Sequence, residues 1–294
     1  LCSEKKEKQV FRTKEVYCGK PNQAIYTCLT CGINYLHPIL TQREKESFYA
    51  EEFLDFMSSR ADKSGGAGWL DPKKHAIENE FQRVRRMAYL EALLPKKGGS
   101  ILDVGCSSGF MLYPLEKRGF DCVGVEPTPS SCEYVNSRGI PCYENIRDLL
   151  KIKKFESGFD LIMHFFVADQ TEDPVKFITE QLKMLKQGGK LVFELCSADD
   201  PLLSLYKIKA FEGFFWQVAV NYFFSRKSLK NFLEKFQLPF DIILDQRYDL
   251  SNHLIWSIDG LPGGMGRFTD VLTKKTEDLY RNSLIKSGNC DTLI

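Results

Sequence analysis

An α/β fold, with a mostly parallel sheet and helices on both of its faces, is what the greater part of this sequence predicts. Two observations carry the prediction. From Ser100 onward, short apolar runs alternate with amphipathic segments, and several of those segments stop at a glycine, as at Gly119, Gly139 and Gly188. The first apolar run also ends in a glycine-bracketed turn, "LDVGCSSG", and the second ends in an acid, Glu126. Strands joined through helices run parallel and are covered on both sides, so their residues are apolar throughout instead of alternating.

The elements follow in order. "SILDVG" reads as a strand, "GFMLYPLEKRG" as a helix, "DCVGVEP" as a strand, "PSSCEYVNSRG" as a helix and "PCYE" as a short strand. After the helix "IRDLLKI" come the strand "FDLIMHFF" and the helix "DPVKFITEQLKMLKQGG", with Asp173 as N-cap and Gly188 at its end, and then the strand "KLVFELC". An aromatic-rich insertion at about residues 200–237 interrupts the rhythm and contains the helix "SRKSLKNFLEKF". "FDIILDQRYDL" and "SNHLIWSIDG" read as edge strands joined at Ser251 and Asn252, followed by a glycine-rich turn and a terminal helix.

Ahead of this alternation, residues 73–94 read as one long amphipathic helix with Phe81, Val84, Met87, Ala88, Leu90, Leu93 and Leu94 on its apolar side. Residues 42–58 carry apolar residues at helical spacing, and "ADKSGGAGW" is a loop. The organisation expected is a cysteine-containing lobe at 1–40, a helical lid or linker at 41–98 and a Rossmann-like domain at 99–294.

Charge narrows the function classes. Lys and Arg number 40 against 39 Asp and Glu, a net charge of +1, so no overall field draws the chain to a nucleic-acid backbone. No leader-like start and no apolar run of about 18 residues is present, and the expectation is a cytoplasmic protein that does not enter a membrane.

The loop Gly105-Cys106-Ser107-Ser108-Gly109 ends the first sheet strand, where glycines allow a tight turn and the helix that follows offers unpaired N–H groups. Glu126, 21 residues after Gly105, closes the second strand and can accept hydrogen bonds from ribose hydroxyls. Dinucleotides use this geometry through G-x-G-x-x-G, but the middle glycine is absent here. Asp103, just before the loop, would repel a pyrophosphate and suits a ligand carrying a cation.

These residues resemble the class I S-adenosylmethionine-dependent methyltransferases: "LDVGCSSG" and "GVEP" match the family's first motif and its ribose-binding acid, and the similarity runs over about residues 100–195. The resemblance implies S-adenosylmethionine as cofactor, held by Asp103, Gly105, Cys106, Gly109, Glu126 and Pro127, with Glu144 and Asn145 near the adenine. Phe165 and Phe166, at the end of the fourth strand, are candidates to cover the cofactor, with core packing the alternative for one of them. The resemblance implies that Tyr49 meets the cofactor carboxylate, and Arg85 is a second candidate for that contact. Many relatives carry Glu-His after the fourth strand, where this chain has Asp169-Gln170, and glutamine cannot take a proton from a hydroxyl near neutral pH.

"TCLTCGINYLHP" holds a C-x-x-C closed by glycine, the spacing of a zinc knuckle, and Cys2, Cys18, Cys28 and Cys31 are the candidate ligands. His37 is an alternative ligand, and a redox dithiol at Cys28 and Cys31 is another reading of the same turn. The segment also resembles the methyltransferase subset whose N-terminal lobe ends in CxxCG, which implies structural zinc; the first pair of that lobe is incomplete here.

For the chemistry, His253, with Tyr248 and Asp249 near it in sequence, is the candidate base; Asp169 is its rival, and Tyr222 is a candidate for orienting the acceptor. "YKIKAFEGFFWQVAVNYFFS" suggests an aromatic acceptor wall, with ordinary core or a dimer face as equal alternatives. The function expected is methyl transfer to a small molecule, in particular a sugar or nucleotide-sugar, by a monomer or homodimer. The alternatives are a protein methyltransferase and a catalytically silent interaction protein of the same fold.

Overall fold

The computed structural model describes residues 8–60 and 66–294. They form two compact units. The first holds the described residues up to Leu40, together with Ala168–Val175 and Glu194–Ile294; the second holds Thr41–Val167 and Lys176–Phe193.

The first unit opens with three antiparallel strands, β1 (Gln9–Thr13), β2 (Ala24–Cys28) and β3 (Asn34–His37). The turn between β2 and β3 contains the C-x-x-C, and Gly32 closes it at φ 75°, a conformation that disfavours side chains bearing a Cβ.

The second unit begins with α1 (Gln42–Ser47), started by a capping box in which Thr41 and Glu44 satisfy each other's backbone N–H groups. One π-helical turn joins it to α2 (Phe53–Arg60). The long helix expected over 73–94 is instead two, α3 (Pro72–Glu78) and α4 (Glu80–Leu90), broken at Asn79, whose φ of −90° and ψ of 13° leave the α region. Phe81 and Val84, expected inside, are exposed, while Arg86 and Leu90 are buried.

The mostly parallel sheet of this unit comprises β4 (Ser100–Val104), β5 (Asp121–Val125), β6 (Cys142–Tyr143), β7 (Phe159–Phe165) and β8 (Leu185–Cys196, its last three residues belonging to the first unit), in the order β8-β7-β4-β5-β6. Between them run α5 (Leu112–Lys117), α6 (Pro129–Ser137), α7 (Ile146–Leu149) and α8 (Pro174–Lys183). β4 is parallel to both β5 and β7, with Val104 opposite Val125 on one side and His164 on the other. That register brings the carboxyl ends of three strands level, so Gly105, Glu126 and Phe165 leave the sheet together. β4 is buried along its whole length, as a central strand covered on both faces must be. Leu102, Val104, Val123, Val125, Phe159 and Ile162 form a core with Leu149 and Phe155. α8 stops at Lys183 and β8 starts at Leu185, so Gly188, expected to end the helix, lies within the strand.

The first unit resumes with α9 (Pro201–Ser204), α10 (Lys209–Phe215), β9 (Tyr222–Phe223) and α11 (Arg226–Leu233). β9 pairs with β3 and completes a four-stranded antiparallel sheet. Phe211, Phe215, Trp216 and Phe223 pack with Ile25, Leu36 and Trp256 in this unit's core. The aromatic segment expected to wall an acceptor is therefore largely interior, because its rings satisfy one another edge to face, as Trp216 and Phe223 do at 4.7 Å.

Of the two expected edge strands, the first is reduced to β10 (Leu244–Asp245) and the second is a helix, α12 (Leu250–Asp259). Asp249 caps α12 by accepting the Asn252 N–H at 2.8 Å, and Gly260 ends it at φ 64°. These local caps outweigh the β-branched and aromatic content that suggested a strand. α13 (Lys274–Ser287) leads to β11 (Thr292–Leu293), which pairs antiparallel with β10 and with Leu195 and Cys196 at the end of β8.

Candidate active site

The turn after β4 has the geometry its glycines predict. Gly105 (φ 76°) leaves no room for a side chain: a Cβ there would lie 2.6 Å from Val167 Cγ2. Gly109 (φ 70°) is held the same way, 2.9 Å from Val135 Cγ2. Ser107 lies in the left-handed region at φ 49°, as does Phe166, beyond β7, at φ 59°. Two non-glycine residues in a sparsely populated conformation, each costing on the order of 1–3 kcal/mol, are a mark of a functional site.

Glu126 holds the loop. Its Oε2 accepts the Ser107 N–H at 2.8 Å and its Oε1 accepts the Thr128 N–H at 2.9 Å. A carboxylate offers about four acceptor positions, so two bonds leave capacity for a pair of hydroxyls. Asp103 is buried, and its Oδ1 has no partner. Burial pushes its carboxyl up to about 7, with the Arg86 charge pulling down and Glu126 pushing further up. Burial likewise raises Glu126.

Three residues not anticipated from the sequence belong to this site. Arg86, on α4, is 5% exposed, and its guanidinium stands over the rings of Phe165, Phe110 and Phe166 at 3.9, 5.5 and 5.7 Å. His75, on α3, is 4% exposed; its Nδ1 is 2.8 Å from Ser108 Oγ, while its Nε2 is buried without a partner. Trp69 packs on His75 with ring centroids 4.3 Å apart. The missed signal for Arg86 is its i, i+4 spacing to Leu90, read instead from the apolar residues one position away.

The other cofactor candidates are distributed less evenly. Cys106 turns into the sheet, 3.7 Å from Cys142 Sγ, in space left by Gly124, where a Cβ would sit 2.5 Å from the Cys106 sulfur. Pro127, Glu144 and Asn145 are exposed. Asn145 caps α7, accepting the Asp148 N–H at 3.0 Å. Phe165 is buried beneath Arg86 and Phe166 is half-buried. Tyr49 is half-buried in the π-helical turn against Phe53 at 5.0 Å, and Arg85 donates from Nε to Gln82 at 3.0 Å.

The acceptor-side candidates lie in the first unit. Asp169 is buried with Oδ1 unpartnered, and burial pushes its carboxyl up to about 7 against N–H groups of Asp169, Cys196 and Gln170 that pull it down. Tyr222 lies close by: the adjoining Asn221 N–H donates to the Asp169 carbonyl at 2.9 Å, and the Tyr222 hydroxyl donates to the Glu172 carbonyl at 2.9 Å. His253, by contrast, is enclosed in another network. Its Nδ1 is 2.5 Å from the Tyr280 hydroxyl, its Nε2 is 3.4 Å from Gln246 Nε2, and Gln246 donates to Asp291 at 2.8 Å. Burial pulls it down to about 4, against the charges of Asp291 and Glu277. These contacts tie the C-terminal segment to α12.

Among the described residues, no group of three or more His, Cys, Asp or Glu side chains is placed to hold a metal ion. Cys2 lies outside the described residues, and Cys18 is exposed. Burial pushes the Cys28 thiol up, but N–H groups of Cys31 and Thr30, the Cys31 thiol and Gln9 together bring it down to about 7. Also among the described residues, no helix is long and apolar enough to cross a membrane.

A strained glycine loop at the carboxyl end of a central parallel strand, braced by an acid from the next strand, defines an α/β protein of the nucleoside-binding class. Residues 76–240 match the family described as methyltransferase domain, more than half of the 294 residues, and the chain belongs to that family. It is 30% identical over 112 residues to a ubiquinone biosynthesis O-methyltransferase of Coxiella burnetii, covering 37% of this chain and 48% of that protein. To the protein of the same name from Azorhizobium caulinodans it is 28% identical over 143 residues, covering 43% and 56%. The chain thus spans about half the length of these curated relatives. It shares its fold with one chain of a solved complex between a Haloferax volcanii methyltransferase activator and a methyltransferase, at a TM-score of 0.50 and 14% identity, covering 79% of this chain and 95% of that one.

Proposed function

We propose that this protein transfers a methyl group from S-adenosylmethionine to a hydroxyl of a small molecule. The observation that carries the proposal is the pairing of Glu126, with acceptor capacity beyond its two backbone bonds, with Asp103, a buried acid whose Oδ1 lacks a partner. Two buried acids beside a helix-starting loop are a poor bed for a pyrophosphate and a fitting one for a ribose joined to a cationic group. The orphaned oxygen of Asp103 is the test of fit: a buried acceptor without a donor costs about 1–3 kcal/mol, which a ligand ammonium would recover.

When bound, S-adenosylmethionine supplies a methyl group on a sulfonium, an electrophile that needs no activation by the protein. What remains for the chain is binding, alignment and a proton. Glu126 takes the ribose hydroxyls, the Gly105–Gly109 turn brings the backbone close, and Phe165 and Phe166 with Arg86 exclude water. Of the base candidates in the first unit, Asp169 has a buried Oδ1 without a partner, and a carboxyl raised to about 7 is matched to taking a proton at neutral pH. His253, held by Tyr280 and Gln246, is the weaker choice of base. Oxygen as acceptor atom is also supported by the relatives named O-methyltransferases. A sugar or nucleotide-sugar acceptor has lost the aromatic wall that favoured it and enters as one arm of an acceptor screen beside phenols.

Calorimetric titration with S-adenosylhomocysteine and with NAD, in wild type and Glu126→Ala, tests the cofactor. Micromolar binding of the former, lost in the variant, is expected. Binding of NAD alone would overturn the reading.

A further inference from the structure

We propose that His75 is a binding residue for the amino-acid end of the cofactor, donating from Nε2 to its carboxylate beside Arg86. This rests on the S-adenosylmethionine reading above and extends it to a residue from the helical segment that precedes the sheet.

The geometry of the ring comes first. His75 is 4% exposed and is fixed on three sides: Trp69 at 4.3 Å, Phe110 at 5.8 Å and the Ser108 hydroxyl 2.8 Å from Nδ1. Ser108 itself is fully buried within the glycine loop. A ring held this way cannot swing out to find a partner, yet Nε2 is buried and has none. Unlike His164, which has neither nitrogen partnered, His75 has one nitrogen engaged by the serine of the glycine loop, and the buried second one costs about 1–3 kcal/mol while it lacks a partner. The arrangement is complete only when a ligand atom meets Nε2.

Burial, aided by the Arg86 charge, pulls the imidazole down to about 4, so the ring is neutral near pH 7 and carries a single N–H. The contact between His75 and Ser108 fits either tautomer; in the proposed state the serine hydroxyl donates to Nδ1, and the hydrogen on Nε2 makes that atom a donor.

The charges nearby decide what is received. Arg86 acts electrostatically on both His75 and Asp103. A cation and a ring nitrogen gathered near a buried acid with a free oxygen are complementary to an α-amino acid zwitterion, its carboxylate meeting Arg86 and His75 and its ammonium Asp103. A bare nucleoside would leave His75 Nε2 and Asp103 Oδ1 unanswered.

The test is calorimetry on the full chain with two probes, S-adenosylhomocysteine and 5′-methylthioadenosine, which lacks the amino-acid end. His75→Phe, which keeps the aromatic packing, is expected to weaken S-adenosylhomocysteine at least tenfold and methylthioadenosine less than twofold. Ser108→Ala should weaken the first selectively and by a smaller factor, and Glu126→Gln should weaken both. Unchanged S-adenosylhomocysteine affinity in His75→Phe, or equal loss for the two probes, overturns the proposal. Wild type that binds neither probe removes the cofactor reading and this proposal with it. Should His75→Phe fail to fold, His75→Gln, which retains a donor, and His75→Glu, which presents an anion, replace it; equal S-adenosylhomocysteine affinity in that pair overturns the proposal.

Discussion

The guanidinium carbon of Arg86 lies 3.9 Å from the centroid of the Phe165 ring, joining a helix that precedes the sheet to the end of β7. Such a pair, shielded from water, is worth about 2 kcal/mol. Arg86→Gln should lower the unfolding free energy by about that amount and weaken S-adenosylhomocysteine binding, while Arg85→Gln should have the smaller effect on ligand affinity. Urea unfolding with and without ligand measures both.

Gly105 is constrained twice, by φ 76° and by Val167. Gly105→Ala should destabilise the protein by more than about 1 kcal/mol, since alanine where φ is positive adds strain to the clash. Gly105→Ala with Val167→Ala should recover only part of the loss, because the backbone strain persists; urea midpoints of the two variants give the division.

His164 is fully buried, stacked on Phe193 at 4.9 Å, with both ring nitrogens unpartnered, and burial pulls it down to about 3. Below its unfolded value of about 6.5, the unfolded chain binds a proton that the folded chain refuses, so stability present above that pH is lost as pH falls towards 3. At pH 5 this loss is about 2 kcal/mol. His164→Phe lacks it, and the stability gap between variant and wild type should move in the variant's favour between pH 7 and pH 5.

Asp169 has the opposite sign. Its folded value of about 7 exceeds the ordinary 3.8, so its contribution is present at low pH and is lost as pH rises through about 7. Asp169→Asn should gain stability on wild type across that range. If Asp169 takes the acceptor's proton, the same substitution lowers kcat by about 10²–10⁴ and removes a rise in kcat/KM centred near 7. Unfolding curves and rate profiles from pH 5 to 9 report both.

Much of the glycine loop's geometry was legible because its signals are local. Gly105, Gly109, Ser107 and Glu126 lie within 22 residues, and their roles depend on backbone angles and on strands that follow one another. Arg86 and His75 were not legible. Within α4 the buried positions are Arg86 and Leu90 while Phe81 and Val84 face out, and an arginine buried over phenylalanine rings leaves no apolar signal in the periodicity. The segment 250–259 carried strand-forming residues, but Asp249 and Gly260 supply caps at both ends, and a capped helix satisfies its own backbone.

By itself, then, the sequence determined the alternation of strands and helices, the strained loop and its bracing acid, since each follows from the conformational limits of a few adjacent residues. Only the tertiary structure decided that Arg86 and not Arg85 stands over Phe165, that Phe211, Phe215 and Trp216 fill a core, and that His75 meets Ser108, 33 positions away. Burial and pairing across such distances depend on how elements pack, and residue spacing carries no record of it.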